Sequence, residues 1–150
     1  MAHTYLLERE LTLPQPLSKT FAFFSDASNL EALTPKSLRF KILTPPPIVM
    51  RAGLLIDYRI RLFGLPMNWR TLIEEWEPER RFVDVQLKGP YKLWRHEHLF
   101  DEVEGGTLVR DRVEYQLHGW IFAPLVHAAF VKRQLKTIFD YRQKRMTELL

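Results

Sequence analysis

The pattern of hydrophobic and polar residues divides the chain into strands and helices. Residues 3–13 carry Tyr, Leu and Thr with partial alternation and are followed by proline, which is typical of a strand. The segments Leu17–Phe24 and Leu30–Leu33 are predicted to form two short helices, the first after Pro16 and the second before Pro35. Six further strands, each ended by turn-forming residues, are predicted over 38–44, 54–63, 67–77, 82–88, 92–101 and 107–117.

A long amphipathic helix is predicted in the C-terminal part of the chain. After Gly119, apolar residues recur at three- and four-residue spacings, which is the period of an α-helix. This stripe comprises Ile121, Leu125, Ala128, Val131, Leu135, Ile138, Arg142, Met146 and Leu149. Only this helix is long enough to cover one face of an antiparallel meander. We therefore expect an α+β helix-grip fold over residues 1–150, in which about seven antiparallel strands curve around the helix as one domain.

Alternation along the predicted strands indicates which side chains face the helix. In 54–63, Tyr58 shares a face with aliphatic residues, and charged residues occupy the other face. In 92–101, both histidines share a face with Trp94, and in 107–117 an aspartate shares the apolar face. The residues assigned to the concave face and to ligand contact are Tyr58, Trp69, Gln86, Trp94, His96, His98, Asp111 and Tyr115, and the same alternation places Asp84 on that face.

This predicted inner wall carries more polar atoms than a dry core normally accepts. Buried polar groups need hydrogen-bond partners, so these side chains either satisfy one another or face a wet cavity. A curved sheet favours a cavity that holds a ligand with an apolar body and a few polar atoms. Arg142 lies on the apolar stripe of the helix, where it either snorkels at the sheet edge or offers its charge to the polar end of the ligand.

Composition narrows the remaining classes of function. With 0 cysteines, the sequence has no disulfides, thiolate nucleophiles or Cys-based metal centres, and a cytoplasmic location is expected. No apolar run approaches membrane-spanning length, and the net charge of +4 permits weak membrane contact without stable insertion. Basic residues of the last helix are interpreted as a solvated face, because nucleic-acid binding needs a denser basic stripe with aromatic residues. We expect no cofactor, no nucleic acid, and a monomer or homodimer.

Three segments of the sequence carry a family resemblance: Asn29–Pro35 (NLEALTP), Gly89–Phe100 (GPYKLWRHEHLF) and Gly105–Tyr115 (GGTLVRDRVEY). They resemble the bacterial START-like (SRPBCC) superfamily, which also includes polyketide cyclases, plant pollen-allergen-like proteins and coenzyme-Q-binding proteins. The resemblance covers essentially the whole chain. It implies a helix-grip fold with an internal cavity for lipids, polyketides, sterols or quinones, usually without a fixed cofactor. It supplies neither a ligand nor a catalytic residue.

The pair His96-x-His98 permits three interpretations. Its spacing places both imidazoles on one face of a strand, and with Asp111 they form either a two-histidine-one-carboxylate metal site or a buried hydrogen-bonded network. The network is favoured, and no metal is expected. The same three residues are candidates for a general base with its orienting carboxylate.

A further apolar cluster, Trp120, Ile121, Phe122 and Pro124, opens the predicted helix next to Gly119. These residues are expected to belong to the core or to dock the helix. The alternative is that they lie exposed at a cavity entrance, where they touch a membrane.

Three functions are compatible with these patterns. The favoured hypothesis is a binder or carrier of a small, largely apolar molecule with a polar group, such as a lipid, polyketide, quinone or aromatic compound. The second is an enzyme of the aromatase, cyclase or dehydratase kind that uses His96 or His98 with Asp111. The third is a protein-interaction domain with a filled core. A binder and an enzyme both require a cavity, and the interaction domain does not.

Overall fold

The computed structural model describes residues 3–62, 64–119 and 123–150. Its strands are β1 (Tyr5–Leu13), β2 (Lys41–Ile42), β3 (Leu55–Leu62), β4 (Leu65–Glu77), β5 (Arg81–Lys88), β6 (Leu93–Val103) and β7 (Gly106–Gln116). They form one seven-stranded antiparallel sheet with the order β1-β7-β6-β5-β4-β3-β2. The first strand pairs with the last, and the other neighbours follow one another along the chain. The predicted antiparallel meander is confirmed.

The helices follow the predicted order. Between β1 and β2 lie α1 (Leu17–Phe24) and α2 (Asn29–Leu33), followed by a 3₁₀ turn at Lys36–Leu38. The C-terminal helix packs on the concave face of the curved sheet, which confirms the helix-grip fold. It comprises α3 (Ala123–Val126), a π-helical turn (His127–Val131) and α4 (Lys132–Leu149).

The edge strand β2 is shorter than predicted. A strand was expected over 38–44, but only Lys41–Ile42 pairs with β3 as a strand. Residue Leu38 belongs to the 3₁₀ turn, and Arg39 adopts a left-handed conformation with φ of 46°, which breaks the extended chain. The prolines 45–47 that follow have no backbone N–H to donate to a sheet. The second strand is therefore a short edge.

Two irregularities bend the sheet between β4 and β5. The register shifts between Arg70 and Thr71 and again between Ile73 and Glu75. At the second shift, Ile73 and Trp76, three residues apart, both pack among apolar side chains of the core. Bulges of this kind bend the strand and strengthen its twist. The concave face thereby gains the curvature that a cavity beneath the C-terminal helix requires.

The C-terminal helix contacts the sheet through only part of the predicted stripe. Val131, Leu135 and Met146 are buried, as expected, and Phe139, which the stripe did not include, is also buried. These side chains pack with residues of β1, β3, β4, β6 and β7. Ile138 is partly buried against the same cluster.

The first turns of the C-terminal helix do not follow the predicted stripe. Leu125 is 69% exposed and Ala128 is also exposed, as is Leu149 at the other end. The π-helical turn uses more residues per turn than an α-helix and so shifts the phase of the positions before it. Pro124 is exposed, contrary to the expectation of a core role. Trp120, Ile121 and Phe122, predicted to be core, lie outside the described residues.

No helix within the described ranges is both long and apolar enough to cross a membrane.

Candidate functional site

A cavity of about 170 Å³ lies between the concave face and the C-terminal helix. One part of its wall is aromatic, because alternate residues of β3, β4 and β6 place rings side by side. The rings of Trp69 and Trp94 meet edge to face with 5.5 Å between centroids, and Tyr58 stacks on Trp69 at 5.8 Å. Tyr91 contacts both tryptophans. This end offers an apolar, aromatic surface to a ligand.

A polar group interrupts the apolar wall further along the same strands. Asp84 of β5 and His96 and His98 of β6 line the cavity, and Asp111 of β7 lies against them. The Nε2 atom of His98 is 2.5 Å from Oδ2 of Asp84, and Nε2 of His96 is 2.7 Å from Oδ1 of Asp111. We call these four residues the histidine–aspartate tetrad.

The hydrogen bonds of the tetrad run diagonally across the sheet. Directly opposite partners are Asp84 with His96 and His98 with Asp111, yet each histidine bonds the other carboxylate. The two imidazole rings stack at 3.7 Å, and Phe82 covers His98 at 4.0 Å. Because carboxylates only accept hydrogen bonds, both Nε2 atoms carry a hydrogen. Nδ1 of His96 lies 3.8 Å from Oδ2 of Asp84, and Nδ1 of His98 lies 3.6 Å from Oδ1 of Asp111.

The tetrad holds its carboxylates in the ionised form. Burial opposes ionisation of Asp111, but the hydrogen bond from His96 and attraction to His96 and Arg142 outweigh it and hold its pKa well below the ordinary range. The pKa of Asp84 is likewise lowered, against burial, mainly by the hydrogen bond from His98. Burial and repulsion from His96 lower the pKa of His98 to about 4, despite the raising effect of Asp84. Near neutral pH, His98 is therefore neutral beside two ionised aspartates.

Two buried N–H donors in the cavity wall have no acceptor among the described residues. One is Nε of Arg142, a residue of α4 that lines the cavity, and the other is Nε1 of Trp69. The guanidinium of Arg142 lies 5.7 Å from the ring centroid of Phe24, a cation–π contact. Unpaired buried donors are rare in native proteins, so a ligand or water is expected to supply the missing acceptors.

The structure brings most of the predicted site residues to the cavity. Those that line it are Tyr58, Trp69, Trp94, His96, His98 and Arg142. The hydroxyl of Tyr58 lies 3.2 Å from Oγ1 of Thr71, and burial raises its pKa.

Three predicted site residues do not line the cavity. Asp111 stands behind His96. The amide of Gln86 donates to the carbonyl of Tyr91 at 2.7 Å and accepts from its N–H at 3.0 Å, so it holds the turn before β6. The hydroxyl of Tyr115 lies 2.7 Å from Nε2 of His127, and burial raises the pKa of Tyr115 to about 12.

Sequence reasoning assigned no site role to two residues that the structure places beside predicted ones. Asp84 was placed on the concave face, but its position opposite His96 depends on strand register, which alternation alone does not give. His127, in the π-helical turn, stacks on Tyr5 with ring centroids 3.6 Å apart. Its contact with Tyr115 joins the C-terminal helix to β7, and no local motif in the sequence signals it.

The donor atoms of Asp84, His96 and His98 all lie within 4.8 Å of one another, and such a group could hold a metal ion. The sequence pattern had grouped the histidines with Asp111, whereas the geometry makes Asp84 the third donor and Asp111 the partner that orients His96. In the structure these side chains satisfy one another by hydrogen bonds.

A sequence model of the family described as "Polyketide cyclase / dehydrase and lipid transport" matches residues 13–141. None of the curated proteins matches the sequence. The predicted resemblance to START-like proteins is confirmed.

Solved structures of low sequence identity share the fold. The Zhui aromatase/cyclase from Streptomyces sp. R1128 superposes with a TM-score of 0.76 at 12% identity, covering 97% of this chain and 93% of the other. A START superfamily protein from Mycobacterium smegmatis gives 0.71 at 9% identity, covering 97% and 99%. Ara h 8.0201 gives 0.62 at 17% identity, covering 96% and 98%. Likeness at this identity concerns the fold and leaves the chemistry to the residues of this chain.

Proposed function

The chain belongs to the polyketide cyclase, dehydrase and lipid transport family, and from this premise we propose that it binds or carries a small, largely apolar molecule in the cavity beneath its C-terminal helix. The family supports a ligand-binding or cyclase-type role. The ligand's body lies against the aromatic wall, and its polar group faces the tetrad and Arg142. A lipid, polyketide, quinone or aromatic compound of suitable size has this character.

The observation that carries this proposal is the composition of the cavity wall. A cavity lined only by apolar side chains would bind any small hydrocarbon, whereas this wall also contains Arg142 and three residues of the tetrad, Asp84, His96 and His98. Ligand sites typically combine such an apolar surface with a few convergent polar groups that fix orientation. The alternative of a protein-interaction domain predicted a filled core, and the cavity of about 170 Å³ argues against it.

Native mass spectrometry of the purified protein, with solvent extraction of any bound compound, tests the proposal. A neutral apolar fluorophore, N-phenyl-1-naphthylamine, serves as an added probe. We expect either a co-purified compound or retention of the probe. If the protein retains neither, the proposal is wrong.

A matched pair of variants locates the binding. Ile138 lines the cavity and is partly buried, so Ile138→Trp should fill it and weaken probe binding at least tenfold. The neighbouring Thr137 is exposed, and Thr137→Trp should leave binding within twofold. Equal binding by both variants would place the probe elsewhere and contradict the proposed cavity.

A second candidate function, a cyclase- or dehydratase-type enzyme, rests on the tetrad. An imidazole held by an aspartate can remove a substrate proton, and both histidines line the cavity. A general base works best with a pKa near the working pH, and the pKa of His98, at about 4, is poorly matched to that task. For His98, this mismatch favours the binding function.

The enzyme hypothesis is tested by turnover of a linear polyketone with the double variant His96→Ala/His98→Ala. Loss of turnover, with His118→Ala as an exposed control, would support it. A pH–rate profile that is the same in the double variant and the unmodified protein would remove it.

A further inference from the structure

Arg142 is a cation of the cavity wall that forms no ion pair within the described part of the chain. Its side chain lines the cavity from α4, and its Nε atom is buried without a hydrogen-bond partner. The contact that the structure shows for its guanidinium is with the ring of Phe24, at 5.7 Å. A guanidinium carries five N–H donors, and leaving the buried Nε–H without an acceptor is costly unless a ligand or water supplies one.

The aspartates nearby do not fill this need. Asp84 is bonded to His98 and Asp111 to His96, at 2.5 and 2.7 Å. Both aspartates interact electrostatically with Arg142, but neither forms an ion pair with it. The tetrad thus uses its two carboxylates internally and leaves the donors of Arg142 for another group.

A second donor on another part of the wall also lacks an acceptor. The indole Nε1 of Trp69 is buried and unpaired, and the residue is 6% exposed. An indole N–H donates and cannot accept. A ligand that satisfies both sites must therefore bring oxygen acceptors in two places.

From these donors we propose that the ligand is a small aromatic or alicyclic acid, whose carboxylate pairs with Arg142 and whose ring carries a second oxygen that accepts from Trp69. This inference rests on the proposed function and names the chemical class of its ligand.

One arginine in the cavity wall can neutralise one negative charge on the ligand, but not two. A carboxylate matches the planar, two-donor edge of a guanidinium. A phosphate monoester would bring about two negative charges near two ionised aspartates and a single arginine, and repulsion would oppose it. A hydrocarbon would leave both donors unpaired.

Titration calorimetry with two probes of equal shape tests whether the cavity prefers a negatively charged ligand. In the unmodified protein, 2-naphthoate should bind at least tenfold more tightly than the neutral 2-naphthamide. Arg142→Met should weaken 2-naphthoate at least tenfold and leave 2-naphthamide within threefold. Arg133→Met removes the same charge from an exposed position of α4 and should change neither affinity. Should the Met variant fail to fold, Arg142→Lys, which keeps the charge without the fork, should weaken 2-naphthoate at least threefold.

The second oxygen is tested with 6-methoxy-2-naphthoate. It should bind more tightly than 2-naphthoate to the unmodified protein, and Trp69→Phe should abolish that preference. If the unmodified protein binds 6-methoxy-2-naphthoate no more tightly than 2-naphthoate, the role proposed for Trp69 is wrong.

The outcomes separate this inference from the proposed function. Equal affinity for acid and amide overturns the acid class but leaves cavity binding intact. Failure of both probes to bind counts against the inference and the proposed function together.

Discussion

Two networks of ionisable side chains lie on opposite faces of the strands around β6, and they differ in burial. On the concave face, the side chains of His96, His98 and Asp111 are 4–6% exposed and that of Asp84 is 17% exposed. On the convex face, the side chains of Arg81 and Glu97 are 22% and 16% exposed, and those of Glu75 and Glu77 are 41% and 43% exposed. Arg81 pairs there with the carboxylates of Glu75, Glu77 and Glu97 at 2.6–3.0 Å. Similar distances between donor and acceptor atoms thus occur on the concave face, beside the cavity, and on the convex face, nearer to water.

The difference teaches what each network can do. Charges near water are screened, so the convex network contributes little per pair and tolerates change. Charges in the cavity wall lose their hydration and persist only because every carboxylate is hydrogen-bonded. Because burial of the tetrad costs desolvation free energy, the tetrad is not the simplest way to stabilise the sheet. Its contact with the cavity provides a reason for its presence. Substitutions in the two networks test this contrast.

Removal of Asp111 should have the largest effect on stability. Asp111→Ala leaves the Nε2 hydrogen of His96 buried without an acceptor, and breaking a buried pair costs about 3–5 kcal/mol of unfolding free energy. Urea denaturation followed by circular dichroism measures this loss. Asp101→Ala, at a side chain that is 50% exposed, is the control and should cost less than about 1 kcal/mol. A loss under about 1 kcal/mol for Asp111→Ala would contradict the description of the tetrad as a buried network.

Acidification should destabilise the protein through His98. Its pKa is lowered to about 4 in the folded state, while an unfolded histidine titrates near 6.5. Between these values the unfolded chain binds a proton that the folded chain does not, so stability falls as the pH decreases, by up to about 3 kcal/mol. The lowered pKa values of Asp84 and Asp111 extend the loss to lower pH.

Urea denaturation at a series of pH values measures this dependence. His98→Gln should flatten the curve between about pH 6.5 and 4, because it removes the titrating group. His118→Gln changes an exposed histidine and should leave the curve unchanged. The same slope in His98→Gln as in the unmodified protein would show that another group controls the acid sensitivity.

The sequence allowed much of the buried network to be predicted. Strand alternation placed His96, His98 and Asp111 on the concave face, because a period of two fixes the face of every residue once one is known. Arg95 and Glu97 alternate with these histidines along β6 and so lie on the opposite face. The antiparallel meander followed from short turns between consecutive strands, but the pairing of β1 with β7 was not predicted.

The hydrogen-bonding pattern was beyond this reasoning, since it depends on strand register and side-chain rotamers. The diagonal bonds from His98 to Asp84 and from His96 to Asp111 follow from those two properties. Gln86 has the predicted parity, but its amide binds the backbone of Tyr91 across the turn. Likewise, a π-helical turn has no simple periodic signal, so the exposure of Leu125 was not foreseen.

On the convex face, loss of Arg81 should have a smaller effect than loss of Asp111. Arg81→Met leaves three glutamates without their shared cation, and we expect a loss of about 1 kcal/mol in unfolding free energy. Because these charges are screened, 1 M NaCl should reduce the difference by roughly half. Arg80→Met, at an exposed neighbouring position, is the control for loss of one charge. A salt-independent loss above about 3 kcal/mol would show that this network behaves as a buried one.

The smallest effect is expected at the pair of Arg110 and Asp101, and it tests whether distance alone sets the energy. Nη2 of Arg110 lies 2.6 Å from Oδ2 of Asp101, as close as Arg81 lies to Glu97 and closer than His96 lies to Asp111. The two side chains are 44% and 50% exposed, so water competes for both and the pair must also restrict two flexible side chains. Arg110→Met should therefore change the unfolding free energy by less than about 0.5 kcal/mol in urea denaturation. If the change instead matched that of Asp111→Ala, burial would not be what distinguishes the two faces.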